Sequence, residues 1–396
     1  MKNKNRTHKI LNRIVSFMII TTVVLSYACQ EAKIDPNDYP TPYAVEEKEE
    51  TAEETGTVSA GNVYGDKVFE PETNTLKEEG KYVYNPLIIP DWILEAYRDN
   101  PKIIGVAKDV LRAIDRYDTE FVLDPDITLS EAEIDEISYV IFYSNPISNA
   151  VYFYETDVKN VYALEYLPQY TVTEEAGEEN VTVEESDLEE VKGIIDGFKD
   201  YVTETINNNL NKDMSEREMA AIIYRQLITD ISLDVRNTDN YQGLSIEVYQ
   251  SGELIKGVTD RRYSSGYEFV LLYSFFMTQL HIDTRTVYGA GGYFTQKIKD
   301  TLSAKSPVSS YWTWQVLCLD GEYYNCDIVL EKVWFDEEYK GAEDAKPDML
   351  FFGMSDNKRS ESFKIGKASV LFFEEETSGG AKVPDCPADF NYLEEL

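Results

Sequence analysis

The chain has 396 residues, which is room for two modest domains. Hydrophobic residues make up 43% of it, enough for a buried core. Its 73 acidic and 37 basic residues give a formal net charge of −36. This charge excludes nucleic acid as an expected partner, because nucleic-acid binding depends on Lys and Arg neutralising phosphates. The acidity favours a soluble surface or a cation-rich environment outside a cell.

The first 29 residues have the composition of a secretion signal. Residues 1–13 contain five basic residues and no acidic one, and residues 14–28 contain no charge. An uncharged stretch of this length is short for a membrane span and typical of a signal peptide. Its end, Ala28-Cys29, resembles the bacterial lipoprotein signal, which implies that Cys29 is lipidated and anchors the chain at the extracytoplasmic face of the bacterial cell membrane. Ordinary secretion, an uncleaved anchor and a cytosolic protein are the alternatives.

Residues 30–81 are predicted to be a disordered acidic linker. Within them, residues 31–79 contain 14 acidic residues against four lysines, and few large apolar residues. Such a segment repels itself and cannot bury enough apolar surface to fold. Order is therefore expected to begin near Tyr82.

The segment 82–180 is predicted to be an accessory α+β region. Apolar spacing, a Ser130/Glu133 capping box and β-type alternation identify its elements. They predict helices at 90–97, 103–114 and 130–143, strands at 150–154 and 161–166, and an acidic loop at 174–185.

Residues 181–396 are predicted to form the main domain. Capping boxes of the Ser-x-x-Glu type predict helix starts at Ser186/Glu189, Ser215/Glu218 and Ser265/Glu268. The last of these opens a helix over residues 263–281 that is apolar on every side and must therefore be buried. A strand is predicted at 284–289, with apolar runs at 350–353 and 368–373 extending the same sheet.

A hairpin is predicted over residues 311–330, because two β-type runs flank Asp320-Gly321. If these two residues form the turn, Trp314 faces Asp327 directly. Trp312 is then the diagonal neighbour of Asp327 on the same face of the hairpin.

The helix start Tyr263-Ser-Ser-Gly-Tyr267 and this hairpin together resemble the bacterial transglutaminase-like family. The family has Cys-x-Gly-Tyr at the helix start and His-x-Trp-Asn-x-Val-x-Leu-Asp-Gly-x-Trp-Tyr-x-Val-Asp in the hairpin. The matching residues are Gly266, Tyr267, Trp314, Leu319, Asp320, Gly321, Tyr324 and Asp327. The resemblance implies an α+β fold with a papain-like core, in which a buried helix packs on an antiparallel sheet.

The same resemblance places Ser264 at the family's nucleophilic Cys, Trp312 at its His and Asp327 at its Asp. An indole N–H donates a hydrogen bond and cannot accept a proton, so position 312 lacks a base. Of the two histidines, one lies in the predicted signal, and about 17 residues of helix put His281 about 25 Å from Ser264. The site is therefore predicted to be non-catalytic. A hydrolase or acyltransferase that uses Ser264 or Ser265, with a lysine or carboxylate base, is the alternative.

Aromatic side chains remain around this degenerate site. The candidates for ligand binding are Tyr263, Tyr267, Tyr311, Trp312 and Trp314, together with Asp327. Aromatic faces with a few polar tips suit sugars and peptide side chains; alternatively, the rings fill and close the cleft. Asp327 is predicted to be held by a donor such as Trp312, with the binding of a ligand cation as the alternative.

Cysteine and histidine are too few and too scattered to predict a zinc site. Cys318 and Cys326 would lie three positions out of register on the hairpin, too far apart for a disulfide. Buried free thiols are predicted for both and for Cys386, with a bridge to Cys386 as the alternative. No cofactor is expected.

These observations predict a non-catalytic, membrane-anchored extracytoplasmic lipoprotein that binds a peptide, a glycan or an envelope protein. A structural spacer or assembly partner at the cell surface is a further alternative.

Overall fold

A computed structural model of the protein describes residues 64–70, 72–166, 169–175, 178–184, 187–233, 253–264, 266–290, 293–295, 311–339, 342, 345–365, 367–370 and 383–390. Its α-helices are α1 (Thr75–Glu79), α2 (Asp91–Ala96), α3 (Pro101–Asp115), α4 (Glu131–Ser144), α5 (Leu188–Asn209), α6 (Glu216–Asp230), α7 (Glu253–Lys256), α8 (Gly266–Gln279), α9 (Ile328–Glu338) and α10 (Asp356–Ser362). Single 3-10 or π-helical turns lie at Asp66–Phe69, Pro146–Ala150 and Gly257–Arg261.

The strands form one larger sheet and several small ones. They are β1 (Glu120–Val122), β2 (Val151–Glu155), β3 (Val161–Tyr166), β4 (Gln169–Glu175), β5 (Glu178–Glu184), β6 (Ser232–Leu233), β7 (Tyr263–Ser264), β8 (Thr284–Ala290), β9 (Tyr293–Phe294), β10 (Tyr311–Leu319), β11 (Glu322–Cys326), β12 (Phe363–Lys364) and β13 (Lys367–Val370). The larger sheet is antiparallel in the order β11-β10-β8-β13, and a second sheet has the order β1-β3-β2. The pairs β4-β5 and β9-β12 are antiparallel, whereas β6-β7 is parallel. The protein is therefore of the α+β class.

Helix α8 lies at the centre of the fold because most of its side chains are apolar. Phe269, Tyr273 and Phe276 are completely buried. On one side the helix meets the larger sheet, where Gln315 Nε2 of β10 donates to the carbonyl of Val270 at 2.9 Å. Helix α5 packs against α8 through the ring pairs Phe198–Phe275 and Tyr201–Phe276. Helix α6 packs there too, and the hydroxyl of Tyr273 donates to an α6 carbonyl at 3.1 Å. The prediction of a buried helix over residues 263–281 is confirmed, although the observed helix is shorter, Gly266–Gln279.

The two faces of the larger sheet are covered differently, as the period of two in a strand requires. Gln315 and its register partner Thr286 face α8. Trp314, Val316 and Val287 form a separate apolar cluster with Cys386. The C-terminal residues 383–390 thus contribute to the core.

Several predicted elements are confirmed and others are wrong. Capping boxes start α4 at Ser130 and α6 at Ser215, and β2 pairs with β3. The predicted acidic loop is instead the hairpin β4-β5, and the run at 350–353 is a turn rather than a strand. The cap of α5 is Asp187, and the predicted cap Ser186 lies outside the described residues, as does Ser265.

The start of the buried helix also differs from the prediction. Tyr263 and Ser264 form the short strand β7, which pairs in parallel with β6, and the helix begins at Gly266. Backbone pairing with β6 thus takes the place of a first helical turn. In the larger sheet, β13 is an edge strand that pairs with β8, as the sequence predicts.

The prediction that residues 30–81 form a disordered linker is wrong for residues 64–70 and 72–81. We call residues 64–70 and 72–81 the strap, because they lie against the folded body and belong with it to one compact unit. Leu76 is 1% exposed, and Glu72 forms an ion pair of 2.7 Å with the buried Lys108. Asn74 Nδ2 donates to the carbonyl of Leu280 at 3.0 Å. Long-range contacts therefore order a segment whose composition alone predicts disorder.

The strap also depends on one glycine of α3. A Cβ at Gly105 would lie 2.1 Å from Cγ of Tyr64, whose hydroxyl donates to Asp109 at 2.8 Å. Only a residue without a side chain leaves room for this ring.

We expect Gly105→Ala to displace Tyr64 and loosen the strap, because overpacking costs about 1–3 kcal/mol. Trypsin should then cleave after Lys67 and Lys77 faster than in the wild type, as measured by mass spectrometry of timed digests. Gly193→Ala in α5 is the control: nothing lies within 4 Å of the added Cβ, so the helix gains about 0.5–1 kcal/mol. Equal cleavage in the two variants would contradict the role of Gly105.

Candidate functional site

The hairpin β10-β11 has the predicted register. Leu319 pairs with Glu322, which leaves Asp320 and Gly321 as the two turn residues. Both have positive φ, 53° and 88°, as a two-residue type I′ turn requires. Continuing this register places Trp314 opposite Asp327, the first position beyond β11.

Trp312 and Asp327 are joined by a direct hydrogen bond. The indole Nε1 donates to Asp327 Oδ2 at 2.5 Å, across the diagonal that the register predicts. The Trp312 ring is partly buried, contacts each of the three apolar clusters of the core, and lies 6.2 Å from the ring of Phe363. An indole donor thus occupies the position at which the family resemblance expects an imidazole.

The remaining polar atoms of Asp327 are also used. Its Oδ1 accepts the backbone N–H of Leu330 at 2.9 Å and so caps α9. Its carbonyl accepts the hydroxyl of Tyr224 at 2.9 Å. Because the residue is 4% exposed, its carboxyl group is held inside the protein and is not presented to a ligand cation.

Ser264 lies two residues before α8, whose start contacts the helix that Asp327 caps. It is 1% exposed in β7. A Cβ added to Gly266, the first residue of α8, would lie 3.6 Å from Cγ1 of Val329, two residues after Asp327. The start of α8 and the first turn of α9 are therefore in contact, and the three positions Ser264, Trp312 and Asp327 belong to one region.

His281 lies at the opposite end of α8. The helix has 14 residues and is about 21 Å long. Burial lowers the pKa of His281, and the nearby carboxylates of Asp91 and Glu72 oppose the shift. Within the described part of the chain no other histidine is present, so no imidazole there reaches Ser264.

Two buried carboxyl groups near the site have raised pKa values. Burial raises the pKa of Asp327 to about 7. The hydrogen bonds from the Leu330 N–H and the Trp312 indole, and the charge of Arg359, lower this pKa but do not cancel the effect of burial. Burial also raises the pKa of Glu331, one turn further along α9, to about 7, although the N–H of Phe351 bonds to it at 2.7 Å. These carboxyl groups keep their protons at a higher pH than exposed ones.

The sequence did not identify Arg359, whose guanidinium lies 4.9 Å from the Trp314 ring centroid. It is 9% exposed and donates to the carbonyl of Phe363 at 3.3 Å. Trp314 itself is 2% exposed, and its Nε1 donates to Asn325 at 2.8 Å. The hairpin register could have identified Asn325, because it is a diagonal neighbour of Trp314. No sequence signal links either residue to Arg359.

The candidate binding residues therefore fall into three groups. Trp312 is partly exposed, whereas Trp314 and Asp327 are buried and do not line an open surface. The side chains of Tyr263, Tyr267 and Tyr311 lie outside the described residues.

The described residues were also searched for a metal site, for disulfides and for a membrane-spanning helix. They contain no group of three or more His, Cys, Asp or Glu side chains arranged to hold a metal ion. Cys318, Cys326 and Cys386 are free thiols, and Cys318 is only partly buried. No helix in the described ranges has the length and apolar character to cross a bilayer. The predicted signal segment and Cys29 lie outside those ranges.

Comparison with models of known protein families gives no match, and comparison with curated proteins gives none either.

The raised pKa of Asp327 predicts how stability depends on pH. The folded carboxyl holds a proton up to about pH 7, whereas the unfolded one releases it near its ordinary value of 3.8. Between these values the folded state binds more protons, so the free energy of unfolding falls as pH rises, by up to about 1.4 kcal/mol per pH unit for one group.

Asp327→Asn should remove this part of the slope, because the carboxamide does not titrate and still caps α9. Urea unfolding at pH 5, 6, 7 and 8 measures it. Glu338→Gln, which changes an exposed carboxylate at the end of the same helix, should leave the slope unchanged. Parallel slopes for wild type and Asp327→Asn would show that Asp327 titrates normally.

Proposed function

We propose that the protein is a non-catalytic, membrane-anchored extracytoplasmic lipoprotein. Its degenerate transglutaminase-like domain would bind a peptide, a glycan or an envelope protein. The observation that carries the proposal is the hydrogen bond from Trp312 Nε1 to Asp327 at 2.5 Å. It places a group that only donates where a transglutaminase-type site needs a proton acceptor.

The order of elements supports the comparison with transglutaminase-like proteins. A buried helix, α8, is followed by β8 and then by the hairpin β10-β11 in one antiparallel sheet. The carboxylate at the end of the hairpin contacts the strand that precedes it through Trp312. The chain order and spacing are those of the family motif, and the helix begins two residues after Ser264.

The proposed lack of catalysis rests on what a serine or thiol nucleophile requires. Such a nucleophile needs a base within hydrogen-bond reach and a group that orients the base. Asp327 can orient a partner, but its partner is an indole. Ser264 is 1% exposed, so a substrate carbonyl has no access to its hydroxyl in this structure. These facts weigh against a hydrolase or acyltransferase that uses Ser264.

A binding role draws on the ring of Trp312. Of the aromatic candidates whose side chains are described, it alone retains partial exposure. Its indole plane is fixed by Asp327 and by contact with Phe363, so it offers a rigid apolar surface of the kind that sugars and peptide side chains use.

Anchoring rests on the sequence of the first 29 residues. A basic stretch, an uncharged stretch and Cys29 follow one another in the order of a lipoprotein signal. A lipid on Cys29 would hold the protein at the extracytoplasmic face of the membrane.

Restoring the family's residues tests the non-catalytic proposal. We expect the wild type to resist labelling by a serine-directed fluorophosphonate. The double variant Ser264→Cys, Trp312→His should gain a reactive thiolate, because an imidazole oriented by Asp327 lowers the thiol pKa. The ultraviolet absorbance of the thiolate, followed as a function of pH, measures this without a reagent having to enter the buried site, with Ser264→Cys alone as the matched control.

The same pH profile of thiolate absorbance in the single and double variants would show that the three positions do not form a transglutaminase-type site. Labelling of wild-type Ser264 by the fluorophosphonate, abolished in Ser264→Ala, would establish the enzyme instead.

Replacing Cys29 tests the anchor. Cys29→Ser removes the thiol that would carry the lipid, so we expect the protein to move from the membrane fraction to the soluble extracytoplasmic fraction. Fractionation and immunoblotting measure this, with Cys386→Ser as the control that should stay in the membrane fraction. Membrane retention of Cys29→Ser would favour an uncleaved helical anchor.

A further inference from the structure

Trp312 belongs to a partly exposed apolar surface that continues onto α9. Four partly exposed side chains pack together on a small apolar cluster, which consists of Leu330, Phe351, Met354 and Phe363. We call these four the tryptophan patch: Trp312, Val333, Trp334 and Ile365. Because Trp312 comes from β10 and Trp334 from α9, the patch extends the candidate site along the helix that Asp327 caps.

The two tryptophans of the patch are held in the same way. Trp312 Nε1 donates to Asp327 at 2.5 Å, and Trp334 Nε1 donates to Asp348 at 3.2 Å. The hydroxyl of Tyr339 donates to the other oxygen of Asp348 at 2.7 Å, which fixes that carboxyl group. An indole N–H that donates to a carboxylate is polarised, so its ring face becomes more negative. That face is the part of an indole that attracts a cation.

The end of α9 beside the patch is acidic. Glu337 and Glu338 follow Trp334 by three and four positions, so they lie on its side of the helix. The carboxyl group of Asp348 lies at the edge of the Trp334 ring. These three acidic side chains outweigh Lys346, which is exposed two residues before Asp348. A ligand on the Trp334 side of the patch therefore meets negative charge.

Two nearby lysines do not neutralise this charge. Lys332 is 5% exposed and already forms an ion pair of 2.8 Å with Asp336. Lys364 alternates with Phe363 and Ile365 along the chain, so it faces away from the apolar cluster on which these two residues pack.

We propose that the tryptophan patch binds a basic peptide segment, with a lysine or arginine side chain on an indole face. The apolar residues of the segment would lie against Val333 and Ile365. This inference rests on the proposed binding role of Trp312 and names its ligand class. A neutral sugar would gain from the rings but not from the carboxylates, and an acidic peptide would be repelled by them.

The ligand test uses two synthetic peptides that differ only in charge. One is Gly-Lys-Leu-Lys-Leu-Lys-Gly with blocked ends, and its twin has acetyl-lysine at each lysine. The full chain is purified in a non-ionic detergent, because a choline headgroup is itself a cation that indoles bind. Binding is measured by the anisotropy of a neutral fluorescent label on the peptide. The buffer has pH 8, above the pKa of Asp327 at about 7, and about 150 mM NaCl, which screens distant surface charges.

The protein test uses two matched pairs of variants. Trp334→Leu removes a ring of the patch but keeps an apolar side chain, and Phe335→Leu removes the next ring of α9, which packs against the main core instead. Glu338→Gln removes an exposed charge beside the patch, and Glu204→Gln removes an exposed charge on α5. The exposed pair reports on the patch even where the loss of a ring lowers the Tm.

We expect the basic peptide to bind wild type, Phe335→Leu and Glu204→Gln alike. It should bind Trp334→Leu about fivefold more weakly, because a cation–π contact is lost. It should bind Glu338→Gln about twofold more weakly, because an exposed charge contributes less. The acetylated twin should bind wild type at least about fivefold more weakly than the basic peptide.

Three outcomes would overturn the inference. The first is that the basic peptide does not bind the wild type. The second is that Trp334→Leu and Glu338→Gln both bind as their controls do, which places the peptide elsewhere on the acidic surface. The third is that the acetylated twin binds as tightly as the basic peptide and loses affinity in Trp334→Leu. That result would reject the cation while keeping a binding role for this region.

A further measurement separates this inference from the binding role itself. Oligomers of N-acetylglucosamine are titrated into wild type and Trp312→Leu under the same conditions. If the basic peptide fails but an oligomer binds wild type more tightly than Trp312→Leu, the inference is wrong and the binding role of Trp312 stands. If both peptides and the oligomers fail to bind wild type, the inference is wrong and the result also counts against the proposed function.

Discussion

Asp327 joins three parts of the core, two through its carboxyl group and one through its backbone carbonyl. One oxygen accepts the Trp312 indole from β10, the other accepts the first-turn N–H of α9, and the carbonyl of the same residue accepts Tyr224 from α6. The end of the hairpin, the start of a helix and a neighbouring helix thus meet at one buried residue. In a low-dielectric interior such a group is tolerated only when each of its polar atoms is bonded. The arrangement explains why Asp327 is a structural residue here, whatever role a related fold assigns to this position.

The same constraint explains the state of the neighbouring groups. The Trp312 indole that bonds to the carboxyl group only donates and carries no positive charge, so burial dominates and the pKa of Asp327 rises. Arg359 lies close enough to oppose this rise, yet its guanidinium stacks on Trp314 rather than pairing with the carboxylate. The interior at this point is held by hydrogen bonds and ring contacts more than by full charges.

The hairpin could be predicted from the sequence because its information is local. Asp320-Gly321 selects a two-residue turn, the turn fixes the register, and the register places Trp312 diagonally from Asp327. The capping boxes of α4 and α6 could be predicted for the same reason, because the hydroxyl and the carboxylate of each box are only three residues apart.

Features that depend on distant contacts could not be predicted. Arg359 reaches Trp314 across 45 positions of sequence, and the ordering of the strap depends on Lys108 and Leu280, which its own composition does not reveal. In each case tertiary contacts outweighed the local pattern.

The strap also determines how the folded body responds to tension from its N-terminal side. Its attachments follow one another along the chain, from Tyr64 on Asp109 through Glu72 on Lys108 to Asn74 on the end of α8. A force applied at Tyr64 therefore loads these bonds one at a time, in their order along the chain. Bonds that are loaded one after another break at a lower force than bonds that share the load. The strap would therefore detach while α8 and its sheet keep their packing. The extra length released in this way would lengthen any tether that precedes Tyr64 without unfolding the core.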